Sequence, residues 1–369
     1  MNQRWICNDV WMDILPCFDH AQLGLKLALL SPRFNALVDK HFDGKSELTI
    51  WRRIEISKDK GPEPKLFVLF NGRSAEFPLP KRPLPSKIRF KHLGIYYIDH
   101  SVIAFLRSNR QIFDKRGTDL KLWISTSYII KDVQPIWDVL VHEIWPIFSE
   151  NIRHLGFNDG DTLDILRRRT SPTILTDLNQ LSSIYSGLLL PEAIAIGDDF
   201  EALNSTISAG QALSKWLHNP RNDGKPKRLR CQVCNEQENT DWINNFKEAF
   251  LRANAISSVS YEIHFYVHPS MPMVTFELVN EWTKEKLTLT KAKENKWHSC
   301  WIMKRCKIIG ETTALYWEDG IWDNNCNNVS ICLFNANNCI GHCLLHRQKK
   351  RRSKPDKASQ KGRLLLTNE

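Results

Sequence analysis

Residues 228–268 read RLRCQVCNEQENTDWINNFKEAFLRANAISSVSYEIHFYVH, and three patterns follow one another within them. Arg228 to Cys234 reads as a strand. Thr240 to Ala253 reads as an amphipathic helix, its apolar residues recurring along one face. Ser258 to His268 reads as a long alternating strand. Strand–helix–strand units favour right-handed crossovers and a largely parallel sheet.

The same unit recurs loosely on the amino-terminal side. Ile88 to Ile98 reads as a strand, His100 to Phe113 as a helix, and Asp119 to Ser125 as a strand with Leu120, Leu122 and Ile124 alternating. Asn151 to Phe157 is a strand followed by a helix over Asp161 to Arg168. On the carboxyl-terminal side, Val274 to Asn280, Lys286 to Lys291 and Val329 to Phe334 read as strands. An Arg/His-Leu pair opens three of these strands: His92-Leu93, His154-Leu155 and Arg228-Leu229. Their spacings of 62 and 74 residues exclude a regular solenoid of short repeats. A mixed α+β or α/β chain results, with a curved, irregular sheet loosely like leucine-rich repeats; an α/β sandwich is the alternative.

Trp51 to Ile56 alternates and can pair with Leu66 to Phe70, between the loop-like stretches Lys58–Pro64 and Pro78–Pro85. The expected organisation is a helical domain over 1–50, a linker with short strands over 51–85, an α/β domain over 86–335 and a basic, disordered tail over 336–369.

Before residue 45 the period changes to helical. Trp11, Ile14, Leu15 and Phe18 follow i, i+3, i+4, i+7; Leu23, Leu27 and Leu30 follow i, i+4, i+7; Phe34, Leu37 and Val38 follow i, i+3, i+4. Pro16 ends or kinks the first helix, Asp19 can cap the second, and Ser31-Pro32 starts the third with Ser at N-cap and Pro at N1. Three helices in about 34 residues cannot bury that much apolar surface among themselves, so the rest of the chain or another protein must cover it.

The run Val10-Trp11-Met12-Asp13-Ile14-Leu15-Pro16-Cys17-Phe18-Asp19, then Gln22-Leu23, then Leu27 to Val38 through Ser31-Pro32-Arg33-Phe34, resembles the F-box, most closely the divergent F-boxes of the expanded nematode families. The usual opening Leu-Pro is replaced here by Cys7-Asn8-Asp9. Downstream, Ser108 to Asp114, Thr170 to Leu175, Phe276 to Asn280 and Leu287-Thr288-Leu289 resemble the carboxyl-terminal half of the same proteins, which is taken to recognise a target. The resemblance implies a substrate-recognition adaptor of a cullin-type (SCF) ubiquitin ligase. Its F-box would bind a Skp-family adaptor, and through it a cullin, using Trp11, Ile14, Leu15, Phe18, Leu23, Leu27, Leu30 and Phe34, some of which must face the hairpin's own interior. Its α/β domain would bind a target protein that the resemblance does not name.

Composition agrees with a folded chain. The 42% hydrophobic content and 13 Trp exclude disorder throughout. No apolar run approaches the roughly 20 residues that cross a bilayer, and Met1 to Asp9 show no apolar h-region, so no signal peptide is expected. A cytoplasmic or nuclear location is expected, with reduced cysteines. Of the net charge of +10, residues 347–369 hold nine Lys or Arg against Asp356 and Glu369, leaving only about +3 for the rest. Basicity therefore belongs to the tail. The alternative reading is a nuclear nucleic-acid-binding protein using that tail, with a zinc cluster, although no aromatics interleave with Arg347 to Lys354 to stack on bases.

No phosphate loop, His-Glu-x-x-His pair, nucleophile elbow or kinase set occurs. No enzyme activity, cofactor or metal is expected. Cys231-Gln232-Val233-Cys234 is a lone Cys-x-x-Cys within a strand, read as structural. Cys339, His342, Cys343 and His346 would share one helical face but cannot wrap a tetrahedral ion unaided. Either reading of the tail cluster stays open, the structural one favoured.

Overall fold

A computed structural model describes residues 6–43, 53–58, 61–70, 73–85, 92–114, 118–123, 134–157, 159–193, 207–233, 236–254, 259–271, 273–294, 298–308 and 327–332. The fold is mixed α and β. Thirteen strands occur in chain order: β1 (Arg53–Ser57), β2 (Lys65–Phe70), β3 (Arg73–Pro78), β4 (His92–Ile95), β5 (Thr118–Trp123), β6 (Ile152–Gly156), β7 (Ser183–Tyr185), β8 (Lys227–Val233), β9 (Tyr261–Val267), β10 (Phe276–Asn280), β11 (Glu285–Glu294), β12 (Ser299–Lys307) and β13 (Asn327–Cys332).

All thirteen join one sheet in the order β3-β2-β1-β4-β13-β5-β6-β7-β8-β9-β12-β11-β10. From β1 through β9 neighbouring strands run parallel. An antiparallel meander closes each end, β1-β2-β3 on one side and β9-β12-β11-β10 on the other. Residues 51–85, expected as a linker with short strands, thus supply three strands of this sheet. The strand expected at Val329 is β13, and it sits in the middle of the sheet, parallel to both β4 and β5.

One apolar row crosses the register. Val68, Ile54, Leu93, Val329 and Leu120 are paired partners along β2, β1, β4, β13 and β5. The row continues through Leu155, Ile184, Leu229, Ile263, Met303 and Leu289. Every member is buried. The Arg/His-Leu steps fall in register here, because Leu93, Leu155 and Leu229 all belong to this row. Burial of each such side chain stabilises by about 1.5–3 kcal/mol, so the row alone can fix the register.

Helices pack on that apolar face. Trp242 of the Glu236–Arg252 helix meets Phe265 of β9 at 5.2 Å between ring centroids, and Phe246 meets Tyr261 at 6.5 Å. The turns from strand to helix carry short polar caps. Asp99 accepts from the backbone N–H of Ser101 and Val102 to start the His100–Ser108 helix, and Asp159 accepts from Thr162 to start Gly160–Arg169. Ser208 and Gln211 form a reciprocal capping box for Ala209–His218. Each satisfies orphan donors of a first helical turn.

Helix ends are held by two buried asparagines in segments that carry the downstream resemblance. Asn109 donates to Phe105 O at 2.8 Å and accepts from Leu84 N at 2.8 Å. Asn280 donates to Phe250 O at 2.7 Å and Ala253 O at 2.9 Å, and accepts from Trp282 N and Thr283 N at 2.9 and 3.1 Å. A single side chain thus closes both the end of the Glu236–Arg252 helix and the β10–β11 turn. Among the described residues, no helix is long and apolar enough to cross a membrane.

Candidate functional site

Two surfaces stand out: the amino-terminal helical hairpin and the polar face of the sheet. The hairpin begins with the Asn8–Ile14 helix, which ends in a 3-10 turn over Leu15–Cys17 containing Pro16. Asp19 caps the next helix, its carboxylate accepting from Gln22 N at 2.7 Å. That helix continues to Leu30 through a π turn at Leu23–Leu27. Ser31 then precedes Pro32–Asp43, its hydroxyl accepting from Phe34 N at 3.3 Å. Arg33 closes the hairpin, donating to Ile6 O at 2.6 Å and to Asn8 Oδ1 at 2.8 and 3.0 Å.

The eight residues read as an adaptor-binding set divide by burial. Leu15 and Leu23 are fully buried in this chain's own core, so neither is open to a partner. Trp11, Leu27 and Phe34 are half-buried against that core, with Trp11 and Phe34 edge to face at 4.8 Å. Ile14 is half-buried. Phe18 is 38% exposed and Leu30 65%. Ile6 and Val10, outside the set, are exposed as well. Large apolar side chains in water are ordinary singly but informative in groups. Of the ten exposed ones among the described residues, four lie within residues 6–30 and three within 274–282.

On the sheet, residues that alternate with the apolar row point to the side away from the packed helices. Arg228 of β8 pairs in register with Glu262 of β9, and Glu262 with Lys304 of β12. Glu262 lies within 3.2 Å of Arg228 Nε and 3.3 Å of Lys304 Nζ, and accepts from His264 Nε2 at 3.0 Å. Burial alone would raise its pKa. The His264 hydrogen bond and the charges of Lys304 and Arg228 outweigh that and hold the carboxyl below its ordinary range. Two strands further, Lys286 of β11 pairs with Glu277 of β10 at 2.8 Å. An open trough of about 620 Å³ runs over these strands, lined by Thr275, Glu277, Lys286, Thr288, Thr290 and Lys304 among others.

A second ionic cluster lies on the opposite, helix-covered face. Arg305 of β12 donates to Glu285 Oε2 at 2.6 and 3.2 Å and to His218 Nε2 at 3.0 Å, while His218 Nδ1 donates to Ser214 O at 2.8 Å. Burial, then the charges of Arg305 and Lys227, push the His218 pKa down to about 3, so the ring is neutral at physiological pH. Burial likewise brings Lys227 to about 7, its ammonium donating to Trp216 O at 2.5 Å. Tyr261, in register with Arg305, is raised by burial. Glu285 and Arg305 have almost no solvent access, which makes this cluster a structural tie among β9, β11, β12 and the Ala209–His218 helix.

Sequence reasoning missed this cluster and the polar row. The alternation of Trp301 and Met303 with Ile302 and Lys304 is visible in β12, but a charged residue at an inward position looks like a solvent-facing one. Cys231 is buried and its thiol pKa is pushed up by burial, the behaviour of a core cysteine. Cys306 is buried and Cys300 half-buried on β12. Cys234, the Cys339–His346 cluster and the basic tail lie outside the described residues. Among the described residues, no three His, Cys, Asp or Glu side chains are grouped to hold a metal ion.

No family model, no curated protein and no solved structure matches this chain.

Proposed function

We propose that the chain is the substrate receptor of a cullin-type ubiquitin ligase, its amino-terminal hairpin acting as an F-box toward a Skp-family adaptor. The parallel block, read as an irregular leucine-rich-repeat-like sheet, presents a target protein. The receptor performs no bond chemistry; tethering raises the effective concentration of target lysines beside the ligase's ubiquitin carrier.

The observation that carries this reading is the set of apolar side chains left in water on the hairpin, Ile6, Val10, Phe18 and Leu30, beside a sealed interior of Leu15 and Leu23. Covering several such side chains at about 1.5–3 kcal/mol each leaves a surplus for a specific interface after association costs.

The test is co-purification with a Skp-type adaptor, comparing the native chain with Phe18→Asp/Leu30→Asp. Both positions are exposed, so the fold should survive, whereas Leu23→Asp would place a charge in the core. The native chain is expected to retain the adaptor and the double variant to lose at least tenfold in recovery. Equal recovery, or none from either, defeats the reading.

A further inference from the structure

We propose that the polar face of the sheet across β8 to β12 docks an extended segment bearing anionic side chains, carboxylates or phosphorylated hydroxyls. The proposal rests on the receptor reading only for calling that segment part of a target; the anion site stands on its own geometry.

Four cations share this face: Arg228 and Arg230 on β8, Lys304 on β12 and Lys286 on β11. Strands lie about 4.8 Å apart, so the charges span four strands at peptide-like intervals. Two carboxylates accompany them. Glu262 has 5% of its side chain exposed and sits beneath Arg228, His264 and Lys304; Glu277 lies at the outer edge. Arg228, Lys286 and Lys304 each keep about a quarter of their side chains exposed, at 25%, 24% and 27%. Glu277 is 59% exposed, and with the two carboxylates counted against the four cations this set of groups carries a net charge of +2. Side chains already held by ion pairs lose little further freedom on meeting an anion.

Shape and chemistry agree. The trough of about 620 Å³ lies at the β10–β12 side of this face, beside Lys286 and Lys304, within the ~300–1,000 Å³ of ligand-binding clefts, and Thr275, Thr288 and Thr290 in its lining carry hydroxyls able to donate to anionic oxygens. Glu277 and Glu262 interrupt the positive field, which disfavours a continuous phosphate backbone and suits anions spaced along an extended polypeptide.

The experiment uses the full chain and fluorescence anisotropy with three labelled twelve-residue peptides: Asp/Glu-rich, phosphoserine-containing and Lys-rich. An acidic peptide should bind with affinity that falls as salt rises. Lys286→Gln/Lys304→Gln should weaken it at least tenfold, and Lys286→Gln alone, which removes one cation and leaves Lys304, should weaken it less. Tighter binding of the phosphoserine peptide assigns the site to phosphate, and equal binding to carboxylate. The proposal is overturned if neither acidic peptide binds, if both variants bind as the native chain does, or if the Lys-rich peptide or an RNA oligonucleotide binds more tightly. Adaptor capture measured on the same samples separates the two readings. Its loss with peptide binding intact defeats only the receptor reading, and the converse defeats only the anion site.

Discussion

The two ends of the sheet are built alike and buried differently. At one end β1, β2 and β3 form an antiparallel meander whose inward residues Ile54, Ile56, Leu66, Val68 and Phe77 are all apolar. At the other, β12, β11 and β10 form a second meander in which Met303, Leu287 and Leu289 share the inward side with Arg305 and Glu285. The first end is held by transfer of hydrocarbon from water. The second also holds an ion pair that must stay matched, because a buried charge without its partner costs far more than the pair gains.

Their outer edges differ as well. β3 ends in Pro78 and carries the Lys65–Glu76 pair, features that discourage another strand from adding on. β10 carries an equivalent pair in Lys286–Glu277 but no proline, and Val279 is exposed on it, with Val274 and Trp282 beside it 80% and 81% exposed. Exposed apolar surface therefore collects at the hairpin and at this open edge, not along the parallel block.

The largest way to break the comparison is Arg305→Met. It strands Glu285 in the core and should cost about 3–5 kcal/mol in urea unfolding. Adding Glu285→Leu should restore much of that loss; if the double variant is no better than the single one, the pair is not what ties this end together.

A smaller effect comes from pH. The unfolded chain protonates His218 near 6.5, while the folded chain does so only near 3. Between those values the unfolded state takes up a proton that the folded state refuses, so stability falls as the pH drops. From pH 7 to pH 5 the loss from this group is about 2 kcal/mol. His218→Gln, which can still accept from Arg305, should flatten that slope; an unchanged slope would exclude the ring as its source. Glu262, held below its ordinary pKa, contributes stability that is present above the unfolded carboxylate pKa and is lost only as the pH falls further.

The smallest effect concerns the open edge. Val279→Lys should change stability by less than ~0.5 kcal/mol and reduce self-association at high concentration, read by analytical ultracentrifugation. The equivalent change on β3 should alter neither.

Much of the sheet was legible because a strand with one buried face alternates and a helix repeats every 3.6 residues. The strands at Leu93, Leu120, Leu155, Leu229 and Ile263 and the helices at His100, Gly160 and Glu236 lie within a few residues of where the periodicities put them. The helical caps at Asp19 and Ser31 were legible for the same local reason. Others were not, β3 and the Ala209–His218 helix among them. β7 is three residues long, and β12 hides its parity behind Arg305. The Gln134–Phe148 helical stretch, with its π turn at Leu140–Ile144, keeps no single period.

The sequence alone showed which residues are apolar and with what period they recur, since hydrophobicity and period are local properties of the chain. It marked the hairpin, the Leu-bearing strands and the separation of the basic tail from a nearly neutral remainder. Only the tertiary structure decided which of the hairpin's apolar residues are sealed, why β13 lies between β4 and β5, and that Arg305, Glu285 and His218 meet. Those depend on contacts between segments far apart in the chain, and pairing across such distances is chosen by what the whole sheet can bury together.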